Sequence, residues 1–108
     1  MKELRNSVRK LIGEELMRAN EQFPLFRSDH EAVGVIAEEV EEMRTEAINT
    51  TSHYEWFKMA VFDDFDFDVK KEAIDNIEMT ATELACEAVQ VAAMARKWKM
   101  SNKGGNDE

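Results

Sequence analysis

Apolar residues recur at helical spacing along most of the chain. Leu4, Val8, Leu11, Ile12, Leu16 and Ala19 predict a first helix from residue 3 to about 22. Gln22-Phe23-Pro24 ends it, because proline disfavours helix in the residue before it. Phe23, Leu25 and Phe26 then form a short apolar connection, read either as a lid on the core or as one wall of a ligand pocket. Ser28-Asp29-His30-Glu31 starts a second helix, since serine followed three residues later by glutamate makes a capping box. Val33, Ile36, Val40, Met43 and Ala47 give that helix its apolar stripe. Asn49-Thr50-Thr51-Ser52 predicts an interruption, because these side chains compete with helical backbone bonding.

Tyr54 to Phe62 fits a short helix or a strand, and helix is the expectation because a lone strand would have no partner. Asp63 to Asp68 resembles a calcium loop, but it lacks the glycine and closing glutamate of an EF-hand. It reads as an acidic connection, with Asp66 or Asp68 as N-cap of the next helix. The last helix is expected from about 69 to 100, with Ile74, Ile77, Ala81, Leu84, Ala88, Val91, Ala95 and Trp98 on its inner face. Arg96, Lys97 and Lys99 suit the negative end of its dipole, and 101–108 reads as a disordered polar tail. The expected architecture is all-α: one domain over 1–100, an antiparallel bundle of about four helices.

Within the last helix, Leu84 to Ala95 is apolar or small except at Glu87 and Gln90, which lie one turn apart on the same side. A helix apolar nearly all round is usually buried, and a carboxylate there needs a cation, a metal or several donors. On the second helix, Glu39, Glu42 and Glu46 fall on the flank of the apolar stripe, while Glu38 and Glu41 rotate away from it.

Composition narrows the function classes. The net charge of −9 argues against a nucleic acid polymer as partner, since binding one needs a basic face. The acids concentrate mid-chain: seven against two arginines over 23–50, and seven against three lysines over 51–77, where a divalent metal could be recruited. No apolar run reaches a membrane span and no signal-like core opens the chain, so no membrane partner and a cytoplasmic location are expected. The lone Cys86 has no disulfide partner and reads as an inert packing residue. A 108-residue chain has a small core, so helices from a second copy could complete it, with Met94 and Trp98 as interface residues.

If the second and last helices face each other, Glu39 and Glu42 on one and Glu87 and Gln90 on the other form a box of oxygen ligands. Such a set suits magnesium or manganese, and no histidine at these spacings favours zinc or iron. Two ordinary explanations stand beside this one: a solvated acidic face at Glu39 and Glu42, and pairing of Glu87 with Arg5, Arg9 or Arg44.

The two acidic motifs, with their surrounding phrases HEAVGVIAEEVEEM and EAVQVAAMA, resemble the MazG-type all-α nucleoside triphosphate pyrophosphohydrolases, and a small phage and bacterial branch in particular. That family carries Glu-Glu-x-x-Glu followed by Glu-x-x-Asp. Here Glu38, Glu39 and Glu42 match the first half and Glu87 begins the second, while Gln90 stands where an aspartate is usual. The resemblance covers roughly residues 28–98. It implies that Glu39, Glu42 and Glu87, with the Gln90 carbonyl, hold Mg2+ or Mn2+ against a triphosphate, and that Glu38 orients or deprotonates the attacking water. It further implies cleavage of a (deoxy)nucleoside triphosphate to monophosphate and pyrophosphate by a homodimer or homotetramer. Residues considered for base and phosphate recognition are His30, Trp56 and Lys71, with Phe26, Tyr54, Phe57, Lys58 and Lys70 as further aromatic and basic candidates. The rival reading is a non-catalytic helical interaction protein on the same bundle, with Gln90 as the mark of a degenerate metal site.

Overall fold

The computed structural model describes residues 1–22 and 25–106, the last four of these by backbone alone. The described residues form three helices, α1 (Lys2–Gln22), α2 (Asp29–Phe62) and α3 (Phe67–Asn106), with no strand among them. The all-α expectation holds, and the count of four becomes three. No interruption occurs at Asn49–Ser52, because Thr50 and Thr51 turn their hydroxyls onto the carbonyls of Glu46 and Ala47, at 2.8 and 3.1 Å. A hydroxyl that bonds one turn back fits within a helix instead of ending it. Phe23 and Pro24, which carry the expected stop of α1, lie outside the described residues.

Helix ends follow their local chemistry. Ser28 Oγ accepts the Glu31 N–H at 3.1 Å, the serine half of the expected capping box. Asp66 Oδ1 accepts the Val69 N–H at 3.0 Å and so caps α3. At the end of α2, Phe65 N–H donates to Ala60 O and Asp64 N–H to Val61 O, with Asp64 at φ 54°. That pair of bonds is a Schellman closure, whose left-handed residue is more often glycine. At the other end of α3, Ser101 Oγ donates to Lys97 O and Asn102 Nδ2 to Trp98 O. The helix therefore continues to Asn106 where a polar tail is expected from Ser101, and the last two residues lie outside the described set.

The chain divides into two compact units, Met1–Val40 with Ala88–Glu108 and Glu41–Glu87. The first holds a hydrophobic core of Ile12, Leu16, Phe26, Ala32, Ala93 and Met94, flanked by Val8, Ala19, Val35, Ile36, Val89 and Ala92. Hydrogen bonds tie its segments together: Trp98 Nε1 donates to Asp29 Oδ1 at 2.9 Å, and Phe26 N–H to Ser101 Oγ at 2.9 Å. The second is a hairpin of the later part of α2 and the earlier part of α3. Its buried residues are Ala60, Ala73 and Thr80 among those described, and Trp56 meets Phe65 edge to face at 5.7 Å.

The expected stripe of α2 holds at Ile36, Val40, Met43 and Ala47, all half-buried, and that of α3 holds at Ile77, Leu84 and Val91 but is otherwise rotated. On α2 the core side carries Ala32, Val35 and Ile36, while Val33 is 67% exposed. On α3 the covered positions run Ala73, Ile77, Thr80, Leu84, Glu87, Gln90, Met94 and Lys97, and Ile74, Ala81, Ala88, Ala95 and Trp98 are exposed. Alanines sit at the most covered positions of α2 and α3 because a single methyl lets two backbones approach closely. Larger neighbours are displaced outward. Met94 is thus a core residue, and Cys86, expected to pack inside, is exposed. No helix among the described residues is long and apolar enough to cross a membrane.

Candidate metal centre and adjoining cavity

The rotation of α3 turns its polar positions inward, which is what brings the acidic motifs together. Glu42 and Glu87 of the second unit, and Glu39 one turn ahead of Glu42 on the same helix, each offer a carboxylate oxygen. These oxygens lie within 4.8 Å of one another. Glu39 and Glu87 are half-buried and Glu42 is exposed. Oxygens on opposite sides of a Mg2+ at about 2.1 Å stand about 4.2 Å apart, and those around Ca2+ at up to about 2.6 Å stand about 5.2 Å apart. Three oxygens cannot all stand opposite one another, so the triad could hold a hard divalent cation only by drawing its carboxylates together around it. Three carboxylates at this spacing repel one another, and a cation among them offsets that repulsion.

Glu38 is exposed and is not in the triad, as its place on the helix wheel implies. Glu41 pairs with Arg44 at 2.8 Å, an exposed contact one turn apart that contributes little to stability. Gln90 lies one turn beyond Glu87 and donates from Nε2 to Glu15 Oε1 at 2.8 Å. A carboxylate only accepts, so the bond fixes the amide: NH2 faces Glu15 and the carbonyl oxygen points the other way. Glu15 is in turn held by Arg18 at 2.8 Å. An aspartate at position 90 would set a second carboxylate against Glu15, and the neutral glutamine removes that conflict.

The first unit encloses a cavity of about 620 Å3, within the range that takes a small organic ligand. Leu25, Phe26, Val35 and Met94 supply its apolar wall, Arg18, Arg27 and Lys97 its cations, and Glu15, Glu31, Glu39 and Gln90 its acceptors. The connection after α1 is therefore, in part, a pocket wall. Lys97 is 4% exposed, with Nζ 4.9 Å from the centre of the Phe26 ring, a cation–π distance.

The other recognition candidates stand elsewhere. His30 is exposed in the first turn of α2 and does not line this cavity. Trp56 is 41% exposed and engages Phe65 in the second unit. Lys71 is exposed and bonds Asp75 at 2.8 Å, and that hydrogen bond and the carboxylate's charge raise its pKa. The structure instead puts Glu15, Arg18, Arg27 and Lys97 around the cavity, none of which the sequence reading singles out as a site residue. One signal was there: Glu87, Gln90, Met94 and Lys97 step by three and four along a single helix face.

Comparison with protein-family models, curated proteins and solved structures finds no match.

Proposed function

We propose that this protein is a divalent-metal-dependent nucleoside triphosphate pyrophosphohydrolase of the MazG-like kind. One observation carries the reading: Glu39 belongs both to the carboxylate triad and to the lining of the cavity. A ligand filling that cavity has one end at a cation-binding carboxylate, the arrangement a nucleotide with an anionic tail requires. The apolar wall suits a base and sugar, and Lys97, Arg18 and Arg27 offer donors to their oxygens.

Glu39, Glu42 and Glu87 would hold Mg2+ or Mn2+. The bound ion supplies charge neutralisation and acidifies water, its usual contributions to phosphoryl transfer. Gln90, whose carbonyl oxygen faces away from Glu15, would serve as a further, neutral acceptor for the ion. Water adds to the α-phosphorus and the α–β phosphoanhydride bond breaks. The water oxygen stays on the nucleoside monophosphate, and pyrophosphate leaves with the bridging oxygen. Glu38, exposed and outside the triad, remains the proposed water-orienting base, with a triad carboxylate as the alternative proton acceptor.

The test is pyrophosphate release across ribo- and deoxynucleoside triphosphates with Mg2+. Turnover with at least one of them is expected, lost in Glu42→Gln with helicity unchanged. Absence of turnover, together with a melting temperature indifferent to Mg2+, would sink the enzyme reading. The bond from Gln90 to Glu15 favours a second reading, in which the amide is purely structural and the bundle is a non-catalytic interaction protein. That reading predicts no pyrophosphate, whatever the cation does to stability.

A further inference from the structure

The cavity of the first unit has two ends of different chemistry. Trp98 Nε1 donates to Asp29 Oδ1 at 2.9 Å, and from that tie α2 and α3 run back along each other through Ala32, Val35, Ile36, Ala93 and Met94. Glu31, Val35 and Glu39 on α2 and Lys97, Met94 and Gln90 on α3 therefore line the cavity in matching order. Eight residues separate Glu31 from Glu39 and seven separate Lys97 from Gln90, about 10–12 Å of helix axis. Glu39, shared with the carboxylate triad, lies at one end. Lys97 and the Phe26 ring form the other.

Lys97 is built into that end. At 4% exposed it is covered far more deeply than lysines usually are. Its Nζ stands 4.9 Å from the centre of the Phe26 ring. Ser101 Oγ donates to Lys97 O at 2.8 Å and accepts the Phe26 N–H at 2.9 Å, so one hydroxyl ties the backbone of Phe26 to the turn that carries the lysine. An ammonium has three donors and no acceptor, so Lys97 can keep its contacts within the protein and still donate one hydrogen bond to a ligand. The other charged groups of this end, Arg27 and Glu31, are exposed, and Arg18 is held by Glu15. Water competes for exposed groups, which leaves Lys97 as the one whose bond to a ligand decides most.

We infer, on the nucleotide reading of this cavity, that Lys97 is a specificity-determining residue. It selects bases with a carbonyl oxygen on the edge farthest from the sugar, the 6-oxopurines and 4-oxopyrimidines, over the amino-bearing adenine and cytosine. With the phosphates drawn to the Glu39 end, the sugar lies along Val35 and Met94 and the base against Phe26, its outer edge toward Lys97. A carbonyl at that edge accepts from the ammonium. An amino group there sets donor against donor, and both lose the partners that water gave them. A site built around a buried hydrogen bond discriminates more sharply than one built on apolar contact alone.

Inosine and adenosine triphosphates, which carry an oxygen and an amino group respectively at position 6 of the same ring system, test this on the wild-type protein. With Mg2+, kcat/KM for pyrophosphate release should be about tenfold or more higher for the inosine compound, and uridine triphosphate should lead cytidine triphosphate likewise. Lys97→Met should erase both preferences, chiefly through higher KM for the oxo substrates, while Lys97→Arg keeps their direction. Circular dichroism shows whether each variant is folded, and if Lys97→Met is not, the wild-type ratios decide. Equal turnover of the inosine and adenosine compounds, a preference for the amino bases, or ratios unchanged in folded Lys97→Met would overturn the role of Lys97 and leave the pyrophosphohydrolase reading in place. No turnover of any triphosphate would overturn that reading, and the role of Lys97 with it.

Discussion

The two compact units share α2 and α3 and differ in what their helices enclose. In the first, three segments surround Ile12, Leu16, Phe26 and Met94, so apolar side chains of full size leave water. In the second, two segments meet over Ala60, Ala73 and Thr80, with Met43, Phe57, Phe65, Ile77 and Leu84 only half-covered and Phe62, Phe67, Ile74 and Met79 exposed. Burying a leucine or phenylalanine contributes about 1.5–3 kcal/mol, whereas a methyl contributes a fraction of that. Stability intrinsic to a single chain is therefore concentrated in the first unit. The lesson is that a continuous helix such as α2 does not spread stability evenly along its length.

Five substitutions break or sharpen this contrast. The largest effect is expected from Leu16→Ala, which should cost about 2–5 kcal/mol by denaturant unfolding. Ile74→Ala, a similar truncation on the exposed side of the hairpin, should stay within about 0.5 kcal/mol. Equal losses would refute the division. Next comes Gln90→Asp, which sets a carboxylate against Glu15. A loss of about 1–3 kcal/mol at neutral pH is expected, with recovery in the Glu15→Gln background. An unchanged melting temperature would show that Glu15 does not dictate the residue at 90. Asp64→Gly should stabilise by about 0.5–1 kcal/mol, since glycine tolerates the left-handed turn between α2 and α3 more readily. A loss of stability there would mean that the aspartate side chain contributes more than its backbone costs.

The smallest effect belongs to Lys71 and Asp75. The pKa of Lys71 is raised from 10.5, so whatever the pair contributes is complete below 10.5 and disappears as pH climbs through the raised value. The pair is exposed, so Lys71→Met should barely move the melting temperature at pH 7. A substantial drop at pH 7 would show that the hairpin leans on surface pairs.

Much of the fold is legible in local chemistry. The stripe ending in Ala19 and the Ser28 and Asp66 caps mark α1 and the starts of α2 and α3 closely. The merger of two expected helices into α2 was hidden, because threonine signals a break as readily as a bond back to its own helix. The register of α3 was hidden for another reason. Hydrophobicity ranks Ile74 above Ala73, but close helix contact selects the smaller residue. At the centre, Glu39, Glu42 and Glu87 were legible because two short motifs on two helices suffice to align them. Glu15 and Lys97 were not, since an isolated glutamate on α1 and a lysine near a helix end look like ordinary surface.

The hydroxyls of the hairpin have one more consequence. Thr45, Thr50, Thr51, Thr80 and Thr82 each donate to the carbonyl four residues earlier on their own helix. A threonine so engaged has spent its only proton internally and shows its neighbours mainly a methyl group. The hairpin is thus oilier to the touch than its composition suggests, and water wets it less well than a count of polar residues would indicate.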